Sequence, residues 1–325
     1  MGCYLVKTAV LLTTYNGSKH LPALLDSLLA QTDPDYTVLL QDDGSEDNTV
    51  ALLTGLCAKD PRFSFGTEQG QHLGPAGNFL SLIRQTDADY TLLCDQDDLW
   101  ENDKIAVLKE AMKEMETEYG ADTPLLVHSD CSLISEEGDP VGNSFFRHQG
   151  WDPNAVTLPP LLVQNNVTGC TLIMNAPLRS LIASHARAKD LFMHDWFIAL
   201  TAASFGKIRF VSSALTRYRQ HAGNAIAASA QPLLKRGNEG PEDIPRAKMH
   251  PDRRFLRLFP HRRDVILRQA HPGLLPRGSI LKFLQIHFHN ASLLFKTIPA
   301  EGVKGAIGKP PYFFPFSIAS HKPLI

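Results

Sequence analysis

The run Tyr90-Thr-Leu-Leu-Cys-Asp-Gln-Asp-Asp-Leu-Trp100 sets three carboxylates, Asp95, Asp97 and Asp98, directly after a short apolar stretch. Like charges this close repel one another unless a cation lies among them, and hard divalent ions take carboxylate oxygens. Mg2+ is usually held by one or two carboxylates together with substrate phosphates, so the spacing points to a cation that grips a diphosphate. A plainer use of Asp97 or Asp98 is to cap a helix over residues 104–114. Two other polar clusters have the same placement. Thr14-Tyr15-Asn16 follows Ala9-Val-Leu-Leu12, and Asp42-Asp43 follows Thr37-Val-Leu-Leu40.

The segments between these clusters say how they are held. Leu21, Leu24, Leu25, Leu28 and Leu29 have the spacing of an amphipathic helix, with Pro22 tolerated in the first turn. Helices are also expected over residues 49–58, with Asp47 as cap, and over 78–85. Phe63-Ser-Phe65 reads as a third short strand and Thr91–Cys94 as the next. Alternating strand and helix predicts an α/β protein with a mainly parallel sheet flanked by helices. Ligands of such sheets bind outside the carboxyl ends of the strands, where all three polar clusters fall. Later strands are expected at residues 125–128, 169–174 and 207–211, and a linker or mobile loop over 229–252.

With 325 residues, 43% hydrophobic and 20% charged, the chain belongs to the folded globular class and can bury a sizeable core. It contains no run of about 18 apolar residues, so no spanning helix is expected. The first ten residues lack the apolar core of a secretory leader. Five cysteines without Cys-x-x-Cys spacing argue against a disulfide framework or a zinc site and fit a reducing cytosol, in which the sequons at Asn16, Asn166 and Asn290 carry no meaning. Charge is asymmetric: residues 1–234 hold 16 Lys/Arg against 28 Asp/Glu, whereas residues 235–325 hold 16 against 6, a net of +10. Residues 280–295 place Phe283, Phe288 and Phe295 on one helical stripe. With the arginines at 253–263, the basic extension reads equally as an interfacial amphipathic element or as a helix packed on the main domain. No nucleic-acid reader module is present, and no nucleic-acid partner is expected.

Five motifs, Thr14-Tyr-Asn-Gly17, Asp42-Asp-Gly-Ser45, Asp95-Gln-Asp-Asp-Leu-Trp100, Met193-His-Asp-Trp196 and Tyr218-Arg-Gln-His221, stand in the order and rough spacing of family 2 glycosyltransferases. Over residues 8–226 the chain resembles that family, and within it the bacterial rhamnosyltransferase-like branch. The resemblance implies a GT-A fold in residues 1–228, and an inverting, metal-dependent transfer of rhamnose or another hexose from a dTDP- or UDP-sugar. The acceptor would be a hydroxyl of a growing surface polysaccharide or a lipid-linked oligosaccharide. It also implies a cytoplasmic enzyme peripheral to an anionic membrane surface.

Carried over by motif, Thr14, Tyr15 and Asn16 would line the base and ribose pocket. Asp42 or Asp43 would accept from the N3–H of the base, unless the Asp-Gly step is only a turn. Asn78 falls at a donor-pocket position. Asp95 would face the ribose, and Asp97 and Asp98 would hold Mg2+ or Mn2+, directly or through water. His221 would be a further metal ligand or diphosphate donor, or else a loop histidine without special partner, and Arg219 would offset phosphate charge. Asp195 would be the catalytic base, at ordinary carboxylate pKa, or a helix cap. His194 and Trp196 would lie on the acceptor side, Trp196 as a sugar platform or as core. His128, His148 and His185 read as structural.

Two other enzyme classes fail on these residues. A phosphatase using Asp-x-Asp-Gly would have Gln41 as nucleophile, and the glycine-rich turn of a dinucleotide oxidoreductase is missing. The rival that remains is a non-catalytic sugar-nucleotide-binding or scaffold protein of the same fold.

Overall fold

The computed structural model describes residues 6–221, apart from 162, 163, 187, 189, 190 and 192. The expected linker at 229–252 and the basic extension at 253–325, with its stripe at 280–295, lie outside the described residues. In chain order the elements are β1 (Thr8–Thr14), α1 (Leu21–Leu29), β2 (Thr37–Asp42), α2 (Thr49–Cys57), β3 (Phe63–Phe65) and α3 (Gly74–Gln85). Next come β4 (Tyr90–Asp95), β5 (Leu99–Trp100), α4 (Lys104–Tyr119), β6 (Leu125–Ile134), β7 (Pro140–Gly142), α5 (Phe145–Gln149) and α6 (Leu158–Leu161). A 3-10 turn at Gly169–Thr171 then leads into β8 (Leu172–Asn175), α7 (Ala176–His185), α8 (His194–Phe205) and β9 (Lys207–Arg219).

The strands form one sheet in the order β3-β2-β1-β4-β8-β6-β9-β5, with β7 beside β6. β3, β2, β1 and β4 run parallel, and β6 pairs β9 in parallel. β8 runs against both β4 and β6, so it alone reverses direction between the two parallel blocks. Every residue of β1 is buried, as expected of a strand covered on both faces. Val10 and Leu12 enter one core with Leu21, Leu24 and Leu28 of α1 and Ile105, Leu108 and Met112 of α4. Ala9 and Leu11 enter the other, with Phe79 and Ile83 of α3 and Ile182 and Ile198 of α7 and α8. Each fully buried leucine in these layers contributes on the order of 2 kcal/mol.

β6 runs on to Ile134, β8 begins only at Leu172 and Asn48 rather than Asp47 is the cap residue of α2; three further elements differ from the expectation for physical reasons. α3 begins at Gly74 rather than Asn78, because Pro75 lies in its first turn, where a missing N–H costs nothing. α4 is capped at Asp103 with no side-chain hydrogen bond, so neither Asp97 nor Asp98 acts as its cap. β9 runs to Arg219 instead of stopping near Val211. Its ladder with β6 passes from Val211↔Ser129 to Ala214↔Asp130, which leaves Ser212 and Ser213 as a bulge. Bulges bend and twist a strand and re-aim the residues beyond them. In β9 the bulge re-aims Tyr218-Arg219-Gln220-His221.

Candidate active site

The ends of β1, β2 and β4 lie side by side, with Thr14 opposite Asp42 and Thr13 opposite Asp95. Asp42 is buried and saturated. Its Oδ1 accepts from the Thr14 hydroxyl at 2.8 Å and the Ser45 hydroxyl at 2.6 Å, and its Oδ2 from the N–H of Gly44 at 3.0 Å and of Ser45 at 2.8 Å. Asp43 accepts one bond per oxygen, from Leu73 N–H at 2.6 Å and Gly74 N–H at 3.0 Å. Each carboxylate oxygen has about two acceptor sites, so Asp43 keeps capacity that Asp42 lacks. Asn16 sits at φ 47°, and its Oδ1 accepts from Glu46 N–H at 2.9 Å, which makes it a turn-former. Tyr15 is held through its backbone by the Gln96 amide, at 2.8 Å to its N–H and 2.9 Å to its carbonyl, leaving the ring 51% exposed. Asn78 is buried, and its Oδ1 has no partner among the described residues.

The acidic turn after β4 is fastened to the far end of β9. β5 pairs Leu99 with Arg217 and Trp100 with Thr216, which lays the turn alongside that strand. Arg219 N–H donates to Asp98 Oδ1 at 3.1 Å, and the His221 ring Nε2 meets Asp97 Oδ2 at 2.5 Å. Asp98 is 1% exposed; its Oδ2 has no N–H or O–H donor and faces the weakly donating thiol of Cys170. One oxygen each of Asp95 and Asp98 and the Cys170 sulfur lie within 4.8 Å of one another. Burial raises Asp98 to about 7, with the Asp97 charge adding to it, and holds Asp95 well above the carboxylate range, with Asp98, Asp97 and Asp195 contributing. A cation arriving among these carboxyls would favour their ionised forms. The oxygens of Asp95 and Asp98 that lie together there fit a hard divalent cation, with the Asp97–His221 pair on the same turn.

Some positive charge is already beneath the cluster. Lys104 is fully buried, its Nζ donating to the Cys170 carbonyl at 2.6 Å and to Thr216 Oγ1 at 2.8 Å, 3.5 Å from the Trp100 ring centroid. Burial lowers its pKa to about 8, against the opposing pull of neighbouring thiols and Asp98. Lys104 belongs to none of the five motifs. The available signal is its position one and two turns before Leu108 and Met112, on the buried face of α4.

Asp195 lies in the first turn of α8, a helix whose apolar residues leave no solvated face over most of its length. Burial raises its pKa to about 6, against the lowering effect of N–H bonds from Trp196 and Gly169. It is thus not the ordinary carboxylate expected. Its charge in turn acts on Asp95, which places it within electrostatic reach of the acidic turn. Gly169 makes room for the neighbouring His194: a Cβ there would stand 3.0 Å from His194 Nε2, whereas its 3.9 Å to Asp195 Oδ2 would be ordinary contact.

Two assignments need correction, those of His194 and Trp196. His194 packs into the core, its ring 4.4 Å from that of Phe79 and both nitrogens without a hydrogen-bond partner among the described residues, so it does not face an acceptor. Trp196 is buried and its indole N–H donates to the Leu161 carbonyl at 2.6 Å, which makes it core rather than platform. Arg219 braces the backbone, with Nε on the Asp97 carbonyl at 2.8 Å and Nη1 on those of Glu136 at 2.8 Å and Ser135 at 3.3 Å. Thr14 supports Asp42 through its hydroxyl. His221, by contrast, is no unattached loop histidine.

Strand ends that carry a nucleotide-type turn, an acidic cluster and a buried carboxylate define a group-transfer site on an α/β sheet. Residues 9–130 match the family described as Glycosyl transferase family 2. From β1 into β6 the chain is thus similar to a family 2 glycosyltransferase domain, and its sheet is the mainly parallel, helix-flanked α/β sheet expected. Among curated proteins it is similar to the dTDP-rhamnosyl transferase RfbG of Shigella flexneri, 26% identical over 238 residues that cover 67% of this chain and 74% of that one. It is also similar to the GalNAc(5)-diNAcBac-PP-undecaprenol beta-1,3-glucosyltransferase of Campylobacter jejuni, 27% identical over 28% of this chain and 30% of the other. Among solved structures, S. aureus TarS 1-349 matches with a TM-score of 0.47 at 19% identity, covering 66% of this chain and 60% of TarS 1-349.

Proposed function

We propose that this protein is an inverting, metal-dependent glycosyltransferase that moves rhamnose or another hexose from a dTDP- or UDP-sugar to a hydroxyl of a surface polysaccharide or lipid-linked oligosaccharide. The observation that carries the reading is the acidic turn after β4, where oxygens of Asp95 and Asp98 lie within 4.8 Å of one another and of the Cys170 sulfur and Asp97 meets His221, with Asp195 in reach and raised to about 6. Similarity to a dTDP-rhamnosyl transferase supports the donor class. The net charge of +10 over residues 235–325 supports a site held beside an anionic leaflet.

Asp43, with acceptor capacity left, takes the N3–H of the pyrimidine, while Asp42 fixes the turn that presents it. The exposed Tyr15 ring covers the base, and Asp95 faces the ribose. Asp97, Asp98 and His221 would hold Mg2+ or Mn2+, which when bound offsets diphosphate charge and stabilises the departing nucleoside diphosphate. Asp195 takes the proton of the acceptor hydroxyl. The acceptor oxygen bonds to the anomeric carbon from one face as the bond to the β-phosphate oxygen breaks on the other, so the configuration inverts. A base of pKa about 6 is better matched to neutral pH than an ordinary carboxylate.

A panel of sugar nucleotides tested by thermal shift with Mn2+ and with EDTA checks the donor and the cation together. A ligand that binds the native state alone raises stability by RT ln(1 + [L]/Kd), so the donor gives the largest shift, and only with metal. Equal shifts in EDTA would overturn the metal dependence. A shift without turnover in any donor–acceptor pair would favour the non-catalytic reading.

A further inference from the structure

His20 is absent from all five motifs, yet it stands beside the cation-binding end of the site. It is the residue before α1, half-buried, with its N–H on the Gly17 carbonyl at 3.1 Å. Its ring stacks on that of His221, centroids 6.1 Å apart and planes 21° from parallel. The neighbouring Lys19 forms an ion pair with Glu136, in the turn between β6 and β7, and the carbonyl of Glu136 is the one that holds Arg219 at 2.8 Å. Two contacts therefore join the start of α1 to the end of β9, over sequence separations above 100 residues.

We propose that His20 is a positioning residue that holds the His221 imidazole edge-on to Asp97, so that both ligating atoms converge before a cation arrives. The need for it lies in the backbone. The ladder between β6 and β9 closes with Gln220 N–H on the Ile134 carbonyl at 2.9 Å, and His221 lies one residue beyond. Past that bond, the strand no longer fixes the ring, and side-chain contacts set its orientation. Asp97 meets its edge through Nε2, while His20 covers a face. An aromatic face is a low-entropy support, because it limits rotation about χ2 without occupying a ring nitrogen. Hydrogen-bonding partners that orient ligating histidines typically change metal affinity by about 10–100-fold, and a stacked ring orients His221 to the same end.

The proposal rests on the reading of Asp97 and His221 as cation ligands, and its test separates the two. Mn2+ affinity is measured by electron paramagnetic resonance of the free ion on the full chain, with UDP or dTDP present and no acceptor, so that turnover plays no part. H20A is expected to weaken Mn2+ binding by about tenfold, and H20F, which keeps the stack, to restore it to within about twofold. Thermal melting of both variants shows that the fold is kept, as position 20 is half-buried at a helix start. Unchanged affinity in H20A, or equal loss in H20A and H20F, overturns the positioning role. D97A and H221A serve as the reference: if they too bind Mn2+ normally, the cation reading falls and the role of His20 with it.

Discussion

Two groups of aspartates stand at the ends of the strands that flank β1 and are treated in opposite ways. Around β2, Asp42 accepts four hydrogen bonds and Asp43 two, all from the turns nearby. Around β4 and α8, Asp98 has an oxygen with no strong donor, and Asp95, Asp98 and Asp195 are all pushed upward by burial. In the first group Asp42 is complete within the protein and serves as scaffold, while Asp43 is anchored and keeps acceptor capacity. The second is electrostatically incomplete, and clusters of this kind mark sites where a ligand supplies the missing charge. Sequence spacing alone makes the two groups look equivalent.

The largest expected effect separates them at Asp195. Asp195→Asn removes the base without changing volume, and turnover should fall by a hundredfold or more, about the scale of general acid–base catalysis, with nucleotide affinity unchanged. In the parent enzyme kcat/KM should rise with pH through about 6 as Asp195 loses its proton. A near-native rate in the Asn variant would place the base elsewhere and return Asp195 to a helix-start role.

The smaller effect on the other side concerns stability. Asp42→Ala strips acceptors from two hydroxyls and two N–H groups in a buried turn. Leaving such donors unsatisfied should cost about 3 kcal/mol, read by urea denaturation. Asp43→Ala should cost about 1 kcal/mol, the scale of a lost helix cap, yet weaken nucleotide binding more specifically, because its remaining acceptor capacity is what the base would use. Equal stability loss in the two variants would erase the division of labour between them.

The parallel half of the sheet is legible because each strand is a short apolar run closed by acids, and the helices between carry complete leucine stripes. The features that are not legible have local causes. Ser212-Ser213 breaks the strand pattern, so the apolar run of β9 ends near Val211 and leaves Arg219 and His221 in an apparent loop. Pro75 reads as a breaker although it starts α3. His194 and Trp196 share the motif of Asp195, but on a helix three successive residues point in different directions, and only the packing against Phe79 and Leu161 decides which way each faces. Lys104 and His20 act through contacts more than 60 residues away in sequence, which no spacing rule reaches.

The smallest effect tests burial itself, at a residue outside the site. His128 on β6 is fully buried between Phe146 and Phe210, with neither ring nitrogen hydrogen-bonded among the described residues, and burial lowers its pKa to about 3. The unfolded chain binds this proton near the ordinary value of 6.5. Because the folded pKa is the lower one, the stabilisation is complete above pH 6.5 and is lost as pH falls from there towards 3. In that window each pH unit removes at most about 1.4 kcal/mol for one such group. The buried carboxyls have the opposite sign, since their folded pKa values are raised and their contribution is lost as pH rises. They are common to both proteins, as is His194, lowered to about 4 by burial, and they cancel when His128→Leu is compared with the parent. The stability difference between the two should therefore move by about 1 kcal/mol in favour of the variant between pH 6.5 and pH 5.5, read by urea denaturation at each pH. A difference that stays flat over that interval would mean that the ring is solvated or hydrogen-bonded in solution, and that burial without partners is not what sets its protonation.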